Sequence, residues 1–181
     1  MGPRWGVDKR QHGPLNGQHL EHRLFVDHAH PDCRSDVLYK GALLGSTART
    51  VWVGDVLIRA AAEGTRTYEL NRNLILSPGA RADSIPNLEI ETGQIDGAGH
   101  ASATGRFDDE QLFYLQARGI DPVEARRLVA RGFFADVIAR IGVPDVEQRL
   151  IDTIDRRLTA ADALSRTATS SDVSSEGTPA A

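Results

Sequence analysis

The 181-residue chain holds one cysteine and one methionine, and only 6% of its residues are aromatic. The lone thiol, Cys33, excludes an internal disulfide and fits a reducing cytoplasm. No apolar run approaches the about 18 residues that a membrane span needs. The opening stretch MGPRWGVDKRQHG lacks the apolar core of a secretion signal. Nor is there a basic excess. Lys and Arg number 21 against 25 Asp and Glu, a net charge of −4, so no broad cationic field points to nucleic acid. A nucleophile elbow, HExxH and a dinucleotide fingerprint are all absent. The nearest phosphate-loop imitation, GALLGSTART, lacks the lysine that should follow its second glycine. Nothing here supports a self-contained hydrolase or oxidoreductase.

What is present is the composition of a globular protein, 40% hydrophobic and 25% charged. The length fits one domain, or one domain with a helical appendage. Residues 1–23 are rich in Gly, His and Gln and read as an irregular segment. Residues 24–107 carry short β-branched runs separated by turn residues: 24–27, 37–44, 50–53, 56–59, 74–76 and 88–91. No helix-length apolar stripe lies between them, which argues against βαβ units and leaves a β-sandwich or a parallel β-solenoid. In VWVGDVLI, Gly54-Asp55 reads as a solenoid corner between two strand pieces, with a Gly-Asp hairpin as the rival. The runs at 51–58 and 73–77 lie roughly one coil apart. Asn71 and Asn73 are expected either to stack on polar groups of neighbouring coils or to form turns.

From Asp108 the pattern becomes helical. Asp108 reads as an N-cap with Gln111 three residues on, and Gly119 as the glycine that ends the helix. A second helix opens with Asp121, Pro122 and Glu124 and carries Val129, Phe133, Val137 and Ile141 at four-residue spacing. A third carries Val146, Leu150, Ile154 and Leu158, so the helical region spans 108–160. The Ser/Thr/Ala-rich tail, 164–181, reads as disordered.

Two histidine settings invite chemistry. VDHAHPDCRSD places His28, His30 and Cys33 within six residues, and an extended strand would turn both imidazoles to one face. That arrangement admits a metal site, but no second ligand pair is spaced to close it, and a surface turn with a buried thiol is the simpler reading. His12, His19 and His22 read as solvated. His100, in DGAGHASATGRFDD, stands among residues too small to bury it. An imidazole there can ligate a metal or carry a proton, or simply hydrogen-bond at a strand-to-helix junction.

Residues 68–120 resemble the C-terminal core of the SufB/SufD family, scaffold subunits of the SUF iron–sulfur cluster assembly machinery. The resemblance rests on YELNRNLILS, PNLEIET, the small-residue histidine turn GHASATGR and DDEQLFYLQARGI. HAHPDCRSDVLYKGAL is similar to a further family region, with His28, Cys33, Ser35 and Lys40 in register. Gly99 and Ala101, where SufB-like members carry glutamates, make the chain resemble SufD more closely. Ala98 stands where some SufD-like members have cysteine.

The resemblance implies a mainly β protein, a right-handed parallel β-helix of a single chain followed by a small α-helical domain and a disordered tail. It implies a non-catalytic scaffold that pairs with a SufB-like subunit through the β-helix and binds a SufC-like ATPase through the helices. His100 would be a cluster-assembly ligand or proton partner at the SufB interface. Asp108, Glu110, Gln111, Phe113, Tyr114, Arg118 and Gly119 would form the ATPase-docking motif, and His28 with Cys33 remains a candidate metal pair. No cofactor is expected to be held stably by this chain alone. An iron–sulfur cluster would pass transiently through the interface, and the resemblance leaves flavin binding by the complex open. The expected location is the cytoplasm, without nucleic acid or membrane partners. The alternatives are a small metal-binding enzyme using His28, His30 and Cys33, or a non-functional SufD remnant.

The resemblance covers roughly residues 25–160 and starts near Met1, whereas family members run to several hundred residues. The chain therefore reads as the C-terminal portion of such a protein, from a truncated product or a misplaced start. A solenoid cut between coils exposes an unpaired strand edge. Residues 1–181 alone should accordingly be oligomeric or poorly soluble by light scattering, and a monodisperse monomer would contradict this.

Overall fold

A computed structural model describes the backbone of residues 18–106 and 109–172. The chain divides into two compact units, residues 1–107 and 108–181. The first is built from six strands of ten residues: β1 (His19–His28), β2 (Arg34–Leu43), β3 (Arg49–Ile58), β4 (Arg66–Ile75), β5 (Arg81–Ile90) and β6 (Gly97–Arg106). They form two parallel sheets in the orders β1-β3-β5 and β2-β4-β6. Each coil therefore contributes one strand to each sheet, and the chain climbs as a parallel β-solenoid, as the resemblance implies.

The register gives the coil its length. Arg49 pairs with Arg81 and Arg34 with Arg66, 32 residues apart, whereas His19 pairs with Arg49 at an offset of 30 and Arg66 with Gly97 at 31, so a coil spans 30 to 32 residues. Side-chain contacts also join successive coils: Arg59 grips Asp27, Asn87 donates to Asp55 at 2.7 Å, and Gly45 N–H donates to Ser77 Oγ at 2.9 Å. Two details differ from the sequence reading. Runs 51–58 and 73–77 are not equivalent positions of successive coils, because β3 and β4 lie in different sheets. Gly54-Asp55 is neither corner nor hairpin but the middle of β3. The corners fall instead at Gly45, Gly64 and Gly79, whose φ values of 104°, 69° and 86° favour glycine.

The strand pattern begins earlier than expected, since β1 takes in residues 19–23. It also ends later. The GHASATGR segment is not a turn but most of β6, paired along its length with β4.

Alternate residues face inward. Two apolar clusters fill the corners of the cross-section, one of Leu43, Ala48 and Ile75, the other of Val56, Ile58 and Ala62 with Val26, Leu88, Ile95 and Ala98. Between them the interior of β4 is polar. Gly54 faces this region, and a Cβ there would overlap the Trp52 ring and lie 3.0 Å from Glu69 Oε1. A strand-interior glycine marks such close approach.

The second unit contains α1 (Asp109–Gln116), α2 (Pro122–Ala139) and α3 (Pro144–Asp172). Asp121 caps α2 by accepting from Val123 N–H at 2.8 Å, and Gly119 (φ 83°) follows α1. Ala125, Ala130 and Ile138 are the buried residues of α2, and Arg127 reaches Thr159 of α3 at 2.9 Å. The third helix runs beyond Leu164 to Asp172, where composition predicts an unstructured tail. Residues 173–181 and Asp108 lie outside the described residues. No described helix is long and apolar enough to cross a membrane.

Replacing Gly54 with Ala should cost about 1–3 kcal/mol, the usual penalty for overpacking a filled interior. A lowered urea midpoint with unchanged slope is the expected reading; an unshifted midpoint would contradict the close packing of Trp52 on Gly54.

Candidate functional site

The inward row of β4 is Thr67, Glu69, Asn71, Asn73 and Ile75. The four polar members are all buried. Three of them have partners. Thr67 Oγ1 shares a hydrogen bond with Ser35 Oγ, which also lies 3.0 Å from His28 Nε2. Asn73 Nδ2 donates to Asn71 Oδ1 at 2.6 Å, and Ser84 Oγ donates to the same oxygen at 2.8 Å. The two asparagines thus bond to each other within one coil rather than forming a ladder between coils. Gly41 leaves Asn73 its space, since a Cβ there would fall 2.8 Å from Asn73 Oδ1.

Glu69 is the exception. It is 1% exposed, and neither carboxyl oxygen has a hydrogen-bond partner among the described residues. Burial is the main cause that pushes its pKa up to about 7, and the negative charge of Asp55 adds to it. Nearby, the Trp52 indole N–H is also buried without a partner. A buried acid and a buried donor thus share the middle of the solenoid.

His100 stands next to Glu69 in the ladder, one coil further on. Its face is fixed by its neighbours on β6. Ala98 packs into the inward cluster around Val56, whereas a Cβ on Gly99 would meet the outward Tyr68 ring at 3.4 Å. Two residues beyond Ala98, His100 returns to the inward face. Its ring is nonetheless exposed, because β6 is the outermost strand of its sheet among the described residues. The glycines around it are not required by packing, since a Cβ on Gly97 or Gly105 would meet nothing within 4 Å.

The other predicted residues lie apart. His28 ends β1, 4% exposed, and burial holds its pKa below the ordinary imidazole value, opposed by the charge of Asp27. Asp27 is itself held low by the Arg59 guanidinium, bonded to both carboxylate oxygens at 2.8 Å. His30 falls in the corner beyond the strand, so the shared strand face expected of His28 and His30 does not form. Cys33 is a half-buried free thiol. No cluster of three or more His, Cys, Asp or Glu residues suited to a metal occurs among the described residues.

On α1, Phe113 and Tyr114 are 72% and 55% exposed, and Arg118 stacks 4.3 Å above the Tyr114 ring. Glu110 is on the same helix; the side chain of Gln111 lies outside the described residues. Sequence reasoning passed over Glu69 and Trp52. The available signal was the alternation of polar residues at 67, 69, 71 and 73, the period of one strand face.

The Glu69 carboxyl makes a pH prediction. Its unperturbed value is 4.5 and its folded value is about 7. Between these the folded protein keeps a proton that the unfolded chain has released, so stability falls as pH rises through this window and stays low above it. The size is on the order of 3 kcal/mol. The difference in unfolding free energy between Glu69→Gln and the parent should therefore move in the variant's favour from pH 5 to pH 8. A difference independent of pH would contradict the buried acid.

The family described as "SUF system FeS cluster assembly, SufBD core domain" matches residues 14–133. A Mycobacterium bovis iron-sulfur cluster assembly SufBD family protein is 65% identical over 161 residues, covering 86% of this chain and 41% of the relative. The iron-sulfur cluster assembly protein SufD of Bacillus subtilis is 35% identical over 67% of the chain and 28% of the relative. That of Escherichia coli is 28% identical over 80% of the chain and 34% of the relative. The chain thus spans less than half the length of these relatives. It is a member of the SufBD family of the SUF iron–sulfur cluster system.

Proposed function

We propose that this chain is the C-terminal part of a SufD-like scaffold subunit for iron–sulfur cluster assembly in the cytoplasm, without catalytic activity of its own. The observation that carries the reading is the outer strand β6. Among the described residues it is the last rung of the solenoid, and it presents an inward-facing histidine to solvent instead of to a further coil. A SufB-like scaffold completes this end, and His100 serves the shared site at which a cluster is built transiently. No cofactor stays with the chain alone. The exposed Phe113 and Tyr114 of α1, braced by Arg118, offer an apolar surface to a SufC-like ATPase. Aromatic residues of this kind commonly anchor protein interfaces.

The test is co-expression with the SufB- and SufC-like proteins of the same genome, followed by affinity capture and a cluster-transfer assay. Both partners should be recovered with the parent chain. SufC should be lost from a Phe113→Ala/Tyr114→Ala double variant. His100→Ala should preserve the complex while lowering cluster formation at least tenfold. Failure of the parent chain to recover SufC overturns the docking surface, and undiminished cluster formation by His100→Ala overturns the role of the histidine.

A further inference from the structure

The geometry points to Glu69 as a positioning residue for His100. Its buried carboxylate, one coil below on the same inward face, accepts the imidazole N–H that points into the solenoid and leaves the other ring nitrogen bare toward the open end. Three observations lead there. Glu69 and His100 are direct register partners in the parallel ladder. In such a ladder, paired residues stand on the same face of the sheet. Both oxygens of Glu69 are buried without a hydrogen-bond partner among the described residues, and a buried polar group left unmatched is costly.

The third observation is the lack of rivals. The neighbouring inward polar groups of β4 are engaged, Thr67 with Ser35 and Asn71 with Asn73 and Ser84. On the other side of Glu69 the ladder offers Val37, which has no polar side chain. Two unmatched buried donors remain among the described residues of this unit: the Thr65 hydroxyl, four residues from Glu69 and outside β4, and the Trp52 indole N–H, whose ring borders the space above Gly54 that Glu69 Oε1 also borders. The indole is the nearer candidate. It supplies one hydrogen, whereas a carboxylate has two oxygens to satisfy. Rotation of the exposed imidazole toward the interior meets the second. A neutral imidazole has one donor nitrogen and one acceptor nitrogen, so a hydrogen bond at one fixes what the other can do. His100 thus gains a defined outward nitrogen, ready to accept a proton or bind a metal ion. The value of this to cluster assembly rests on the reading of His100 given above; the pairing itself does not.

The experiment is magic-angle-spinning NMR of the full chain, labelled with nitrogen-15 at histidine and sedimented from solution at pH 8, which does not require a monomer. The His100 signals are identified by their loss in His100→Gln. In the parent chain one ring nitrogen of His100 should read as protonated and the other as bare. In Glu69→Gln, which loses the charge but keeps a carbonyl acceptor, the ratio of the two tautomers should fall by about tenfold, the difference between a charge-assisted and a neutral hydrogen bond. In Glu69→Leu the preference should vanish. An even mixture in the parent chain overturns the pairing. So does a Glu69→Gln chain with the parent's ratio, whether or not Glu69→Leu folds. If the tautomer responds to Glu69 while His100→Ala still builds clusters, the pairing stands and the assembly role falls. If the tautomer ignores Glu69 while His100→Ala is defective, the assembly role stands without the pairing.

Discussion

The register of the parallel ladder, 30 to 32 residues per coil, is the constraint on which the rest depends. Every strand bonds to the strand one coil away, so a residue's neighbours are set by adding or subtracting one coil. Backbone hydrogen bonds supply the repeat whatever the side chains are, and the side chains have only to tolerate stacking on their counterparts. That freedom explains how a strand such as β6, made largely of Gly, Ala, Ser and Thr, keeps its place beside β4. It also explains how Asp55 meets its register partner Asn87, and brings Asp27 within reach of Arg59, two residues past its own register partner Leu57, without any local sequence motif.

The same constraint divides the interior. Apolar residues close the two corners, around Leu43 and around Ile58, while the middle of β4 is lined by groups that must find partners. Most do so through short local networks. Hydroxyls link His28, Ser35 and Thr67, and the amides of Asn71 and Asn73 join to each other and to Ser84. Glu69 does not, and its raised pKa records the cost of keeping a charge there. Gly54 provides the room that Glu69 and the Trp52 ring occupy. An interior acid one coil from an exposed histidine links the packing of the solenoid to the end at which a partner is proposed to bind.

Much of this was legible in the sequence, and the failures have physical causes. The runs at 37–44 and 88–91 show the apolar character that marks a strand, and β2 and β5 lie there. Only the apolar end of β4 was found, because Thr67, Glu69, Asn71 and Asn73 place polar groups where the usual pattern has apolar ones. The strand β6 falls inside the expected β region, 24–107, but carries no strand-like run, since Gly, Ala and Ser lack β-propensity, and the resemblance describes GHASATGR as a turn. Gly54 looked like a corner because glycine usually breaks strands; here it serves a close approach inside one. His100 was singled out by its tiny neighbours, but its partner position was hidden. A glutamate in a strand reads as a solvent-facing residue; the polar alternation from 67 to 73 marks one face without saying that it is the inner one, and it is burial that shows Glu69 facing inward and register that sets it beside His100.

The central claim is that the inward face of β6 meets a partner scaffold at the open end of the solenoid. Photocrosslinking from a benzoylphenylalanine placed at Ser102, on the same face as His100, tests it in the co-expressed complex. The account predicts a crosslink to the SufB-like subunit that disappears when that subunit is left out. Crosslinks only within the chain itself, in a complex that still contains both partners, would contradict it.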